Sequence, residues 1–200
     1  EAHDFGTLFI DSSDPINPTV QATVDGTGKA KGYGLDSYLQ PETNKTDIVF
    51  ALDRSCSMDA DLAAVEANFT SFLSSLASFN ADYNIGVAVA DDGCFSGGVW
   101  IDLTQAYVDQ LLILNDMMYG PGAFPGYYTE RALGLLDMAL NPVNLNPGGC
   151  NEGFLREDAM LALIGISDES DQSDEYWLDY VLYFQSLKAD PADVVFHAIG

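Results

Sequence analysis

From residue 46 onward, continuous apolar runs alternate with stretches whose apolar residues recur at helical spacing. The run Thr46-Asp47-Ile48-Val49-Phe50-Ala51-Leu52 is rich in β-branched residues and reads as a strand buried on both faces. Leu62, Val65, Phe69, Phe72, Leu73 and Leu76 then recur every three or four positions, which predicts an amphipathic helix starting near Asp59. Residues 84–90 read as a second buried strand and 98–103 as a third. The loop between them is too short for a crossover, so this pair is expected to run antiparallel. A helix over 104–118 follows, with Val108, Leu111 and Leu112 expected inward. A Gly- and Pro-rich loop leads to a helix over 129–140 and a long loop over 141–153. Residues 160–166 form another continuous apolar strand. A helix carrying Trp177, Tyr180, Val181 and Phe184 comes next, and 194–199 is the last strand.

Residues 1–45 have a different texture. Short strand-like runs at 7–10 and 19–24 are separated by Asp-Ser-Ser-Asp-Pro and Asn-Pro turns, and Gly26, Gly28, Gly32 and Gly34 follow. The chain therefore reads as an α/β domain over 46–200, preceded by a small β-rich extension or arm over 1–45. No catalytic pattern falls in that arm.

The charge narrows the choice of partner. Thirty-one acidic residues against seven basic ones give a net charge of −24, which argues against nucleic acid. A solvated acidic surface accounts for most of these groups; only acids converging on one point call for a ligand. The apolar runs are too short to span a bilayer, and the first residues carry no signal-peptide pattern. Of the three cysteines, Cys94 and Cys150 lie in loops and could pair in an oxidising compartment. Cys56 alternates with Ser55 and Ser57 and is expected to face away from them. There is no CxxC or Cys/His spacing of a zinc site, and His3 and His197 look incidental.

The candidate chemistry sits where the first main strand hands over to a helix, at Asp53-Arg54-Ser55-Cys56-Ser57-Met58. In open α/β sheets this is where ligands bind. One carboxylate and two hydroxyls supply part of an oxygen shell for a hard cation, Mg²⁺ or alternatively Ca²⁺ or Mn²⁺. The plainer reading makes Ser57 a helix cap. Asp53, Ser55 and Ser57 match the Asp-x-Ser-x-Ser opening of the metal-ion-dependent adhesion site, and the chain here resembles the von Willebrand factor A family. The stretches 153–159 and 167–173 resemble its secreted or surface-attached bacterial members. That resemblance implies a doubly wound, Rossmann-like, mostly parallel sheet with one antiparallel edge strand. A full domain of the family adds a further strand and closing helix after residue 200. Either the N-terminal segment replaces them or the chain is a fragment.

The resemblance also implies a distant acidic ligand, Asp168, and a threonine from the loop before a helix. Thr129 is the candidate for that threonine, although a stricter alignment puts Tyr127 in its place. Thr129 could equally cap its helix, with Glu130 in the first turn. Tyr127, Tyr128, Glu130 and Glu169 fall on the expected rim, with Phe124, Asp91 and Asp92 nearby. Glu169 and Asp171 read either as outer acids around the ion or as caps for the helix after Ser173. The family implies an extracellular or cell-surface, non-enzymatic protein-binding module whose ion completes its shell with a partner's carboxylate. The alternative is a structural subunit of a filament, self-associating through residues 1–45. A hydrolase would need a base or nucleophile beside the ion, and neither histidine falls there.

Overall fold

The central strand, β3 (Lys45–Leu52), is buried from Asp47 to its end because it lies in the interior of a sheet covered on both faces. The computed structural model describes residues 3–11, 19–27, 44–89, 92–119 and 130–200. The chain divides into two units, Glu1–Gln40 and Pro41–Gly200. In the first, β1 (His3–Asp11) and β2 (Thr19–Thr27) pair antiparallel as a two-stranded sheet.

In the second unit, β3 is joined by β4 (Asp82–Ala88), β5 (Met160–Ile166) and β6 (Val194–Ile199). The four strands are all parallel, in the order β4-β3-β5-β6. Parallel neighbours need crossovers, which the helices supply. These are α1 (Asp59–Ser78), α2 (Tyr107–Tyr119), α3 (Ala132–Leu140), the single turn α4 (Pro142–Leu145) and α5 (Trp177–Gln185). The result is an α/β fold compatible with a Rossmann-like arrangement. The chain starts in β3, steps out to β4, then returns past β3 to β5. The switch in direction therefore falls between β3 and β5.

Strand alternation assigns the helices to the two faces. Phe50, Val87 and Ile164 are register partners on one face, where Phe50 meets Phe69 and Phe72 of α1 at ring separations of 5.3 and 5.8 Å. Val65 of α1 and Leu114 of α2 close over the same face, around Leu52, Val87 and Ile166. Val49, Leu163 and Phe196 face the other way, where Phe196 lies 6.0 Å from Phe184 of α5. On that face Gly165 lets α3 come close: a Cβ there would stand 3.1 Å from that of Ala132.

Two sequence expectations are corrected. Residues 98–103 do not form a strand. Ile101 makes an isolated antiparallel bridge with Ile85, and Phe95 makes another with Ala88. The chain between them turns through Gly97 and Gly98, both at positive φ (75° and 67°), a conformation that breaks an extended run. The second helix turns a different face inward: Val108 and Leu112 are both 65% exposed, while Gln110, Leu114 and Met117 are buried. A glutamine belongs there because its side-chain oxygen accepts a 2.8 Å hydrogen bond from the Tyr83 hydroxyl and its Nε2 donates to Asp102 O.

A disulfide joins Cys94, after β4, to Cys150, after α4, across 56 residues of sequence. A loop of that length corresponds to about 4 kcal/mol in the chain-entropy account. No helix among the described residues is long and apolar enough to cross a membrane.

The N-terminal end of β3 is held by a buried ionic cluster. Asp47, fully buried, accepts 2.7 Å hydrogen bonds from both the backbone N and the Nε of Arg156, and Lys188 Nζ stands 3.7 Å away. Arg156 also bonds Asp82 Oδ1 and Thr46 O. Burial pushes the Asp47 carboxyl up and the Lys188 amine down from their ordinary ranges, and their mutual attraction opposes both shifts. Asp47→Ala leaves the buried Lys188 amine without its carboxylate and takes from Arg156 one of its two, and should destabilise the protein by about 3–5 kcal/mol. A urea midpoint within error of the parent would refute this account of the cluster.

Candidate cation site at the sheet switch point

The chain leaves β3 at Asp53 and β5 at Ser167. The register that pairs Leu52 with Ile166 brings the two exits side by side. Asp53 N donates to Ile166 O at 2.9 Å, extending the ladder by one bond. The Asp53 side chain is 4% exposed, so both its oxygens must be satisfied internally. Oδ1 accepts from Ser55 N at 2.7 Å and Oδ2 accepts from Ser167 Oγ at 2.7 Å.

The first of these bonds curls the chain, so that Ser55 and Ser57 point to one place. Their hydroxyl oxygens are 2.9 Å apart, and Ser57 Oγ donates to Asp168 Oδ1 at 3.2 Å. Ser57 is therefore not the cap of α1. Met58 occupies the N-cap position, with no side-chain cap bond. The Met58 thioether instead accepts a hydrogen bond from Asp168 N at 3.2 Å, tying the turn after β5 to the start of α1.

Of the residues expected at the site, Asp53, Ser55, Ser57 and Asp168 are brought together. Thr129, Tyr127 and Tyr128 lie outside the described residues, as do Phe124, Asp91 and the Cys56 side chain. Glu130 is bonded to Gln172, by its backbone oxygen and its carboxylate, both at 2.6 Å. Glu169 is exposed, and its backbone N donates to Ser167 Oγ at 3.1 Å. Asp92 serves its own turn, accepting from Cys94 N. His197 is an exposed residue of β6.

Asp171 is a cap, but for α3 rather than for the helix after Ser173. Its Oδ1 accepts from Leu133 N at 3.1 Å, and Ser173 Oγ accepts from Gly134 N at 2.8 Å. The residue in the N-cap position, Arg131, has no side-chain cap bond of its own. The orphan amides of the first turn are thus satisfied from a loop about forty residues away in sequence.

Two residues with a role here, Ser167 and Met58, are missed by sequence reasoning. Ser167 directly precedes Asp168, but its part depends on the β3–β5 register, which spacing along the chain does not encode. Met58 reads as an ordinary core residue and is 1% exposed.

The oxygen set can be tested against a hard cation. Octahedral ligands about 2.1 Å from Mg²⁺ lie about 3 Å from one another, and Ca²⁺, with about six to eight ligands at 2.3–2.6 Å, takes neighbours from about 2.8 to about 3.7 Å apart according to its coordination number. The spacings of 2.9 Å between Ser55 and Ser57 and 3.2 Å between Ser57 and Asp168, which are those of hydrogen bonds, fall in the range of either shell. Among the described residues no three His, Cys, Asp or Glu side chains form a metal cluster. This set is of another kind, with two carboxylates and the rest hydroxyls, and it leaves coordination positions for water or a partner. Beside it, between α1 and the β5–β6 edge, runs a groove of about 440 Å³ floored by Phe50, Phe69, Ile164 and Ile199 and reaching Ser167 and Asp168.

Asp171→Ala should cost about 1 kcal/mol by uncapping α3. Faster amide exchange at Leu133, without change in the core strands, is the expected signature; unchanged exchange at Leu133 would show that the cap contributes nothing. No family model, no curated protein and no solved structure matches this chain.

Proposed function

We propose that the chain is a cation-dependent protein-binding module of the von Willebrand factor A type, without enzymatic activity, working outside the cell or at its surface. The observation that carries this reading is the Ser57 hydroxyl. It is turned away from the helix terminus it could have capped and toward Ser55 and Asp168. Ser55, Ser57 and Asp168 would hold the ion, and Asp53 would fix their arrangement or join the shell. Thr129, or Tyr127 in its place, belongs to this reading as a further ligand from the loop before α3. Tyr128, Glu130 and Glu169 would flank the ligand on the rim. The ion supplies a positive centre to which a partner's acidic side chain can bond. Without it, a surface of net charge −24 repels such a group.

The oxygen set suits a hard cation, Mg²⁺ or alternatively Ca²⁺ or Mn²⁺. The Cys94–Cys150 disulfide suits an oxidising compartment. The family's antiparallel edge strand corresponds in this reading to the segment bridged to β4 at Ile101 and Phe95.

A second reading, a subunit of a surface filament, draws support from the N-terminal unit. A two-stranded sheet is marginal in water unless something packs on it. In that reading a neighbouring copy supplies the packing, and sedimentation of the whole chain would depend on concentration.

The test is calorimetric titration of chelator-stripped protein with Mg²⁺, Mn²⁺ and Ca²⁺, beside Asp53→Ala. Saturable one-site binding of at least one of these cations, abolished in the variant, is expected. Heats that do not saturate, or that ignore the substitution, would sink the cation-site reading.

A further inference from the structure

We propose that Ser167 is a positioning residue of this site, one that sets the affinity for the cation without being counted among its ligands. The inference rests on the reading of the Ser55–Ser57–Asp168 cluster as a cation site. One hydroxyl links the two chain exits. Its proton goes to Asp53 Oδ2 at 2.7 Å, and its oxygen accepts from Glu169 N at 3.1 Å. Asp53 is thereby held at both oxygens, since Ser55 N occupies the other. The turn carrying Asp168 is held from both sides, by Glu169 N on Ser167 and by Asp168 N on the Met58 thioether.

The chemistry explains why a hydroxyl is needed. Asp53 is an acceptor at both oxygens and Glu169 N is a donor, so the group between them must donate to one and accept from the other. An alkyl side chain can do neither. Without Ser167 Oγ, Asp53 Oδ2 is a buried acceptor with no donor at that position, and the carboxylate can rotate away from Ser55 N. The spacing of the Ser55, Ser57 and Asp168 oxygens is then no longer set before the ion arrives. Groups that orient metal ligands in this way commonly change affinity by about 10–100-fold when removed.

The test uses the whole chain with Mn²⁺ as the probe. Calorimetry gives the affinity and the electron paramagnetic resonance spectrum of bound Mn²⁺ reports its shell. Ser167→Thr keeps the hydroxyl, and Ser167→Val is its match in shape without one. The Val variant should bind Mn²⁺ at least tenfold more weakly and with an altered spectrum. The Thr variant should bind within about threefold of the parent and melt with it, whereas the Val variant should keep the parent's circular dichroism at the assay temperature and melt lower, because Asp53 Oδ2 has lost its donor. Ser167→Ala replaces Val in the comparison if Val fails to give the parent's circular dichroism. Equal affinity for the Thr and hydroxyl-free variants, while Asp53→Ala loses binding, would overturn the role of Ser167 and leave the cation site standing. A parent protein that does not bind Mn²⁺ would overturn both.

Discussion

β3 carries a buried carboxylate near each end, and much of the second unit is arranged to keep both satisfied. Asp47 takes two donors from Arg156 and a cation from Lys188. Asp53 takes an amide from its own turn and a hydroxyl from the neighbouring strand exit. A carboxylate out of water costs several kcal/mol unless its oxygens are bonded, so each acid dictates what must stand beside it. The two solutions differ in kind. At the Asp47 end the negative charge is cancelled by cations already in the chain. At the Asp53 end the hydrogen bonds to the carboxylate come from neutral donors, an amide and a hydroxyl.

This difference separates the ion-paired end of the sheet from the end that carries the candidate site. Ion pairing at Asp47 anchors the segment before β5 to the start of β3, through contacts from Arg156 to Asp47, Asp82 and Thr46. With that anchor the β3–β5 register is held, and the register in turn sets Asp53 beside Ser167. Phe50, packed against Phe69 and Phe72, fixes α1 over the same strand, so the turn of Ser55 and Ser57 has a firm base on its helical side.

The sequence was legible where burial on both faces makes a strand continuous and apolar, as in β3, β4 and β5, and where a helix has one clear stripe, as in α1. It was misleading at α2, because the inward face includes Gln110, a polar residue whose burial depends on the Tyr83 hydroxyl of another element. It was misleading again at 98–103, read as a third buried strand, where Gly97 and Gly98 at positive φ leave only isolated bridges. At the site, Asp53, Ser55 and Ser57 are local and can be read from spacing, while Asp168, at the end of an apolar strand, was singled out by the family resemblance. Ser167, Met58 and the cap from Asp171 come from pairings across 114, 110 and 38 residues, which no periodicity along the chain carries.

The borrowed cap of α3 ties two parts of the rim together. The loop that presents Asp168 at one end closes the first turn of α3 with Asp171 and Ser173 at the other. A displacement that draws Asp168 toward a ligand therefore pulls on the acceptors of Leu133 N and Gly134 N, and the helix must either follow or fray. The amides of that first turn thus report, through the backbone, any movement of the loop that carries Asp168.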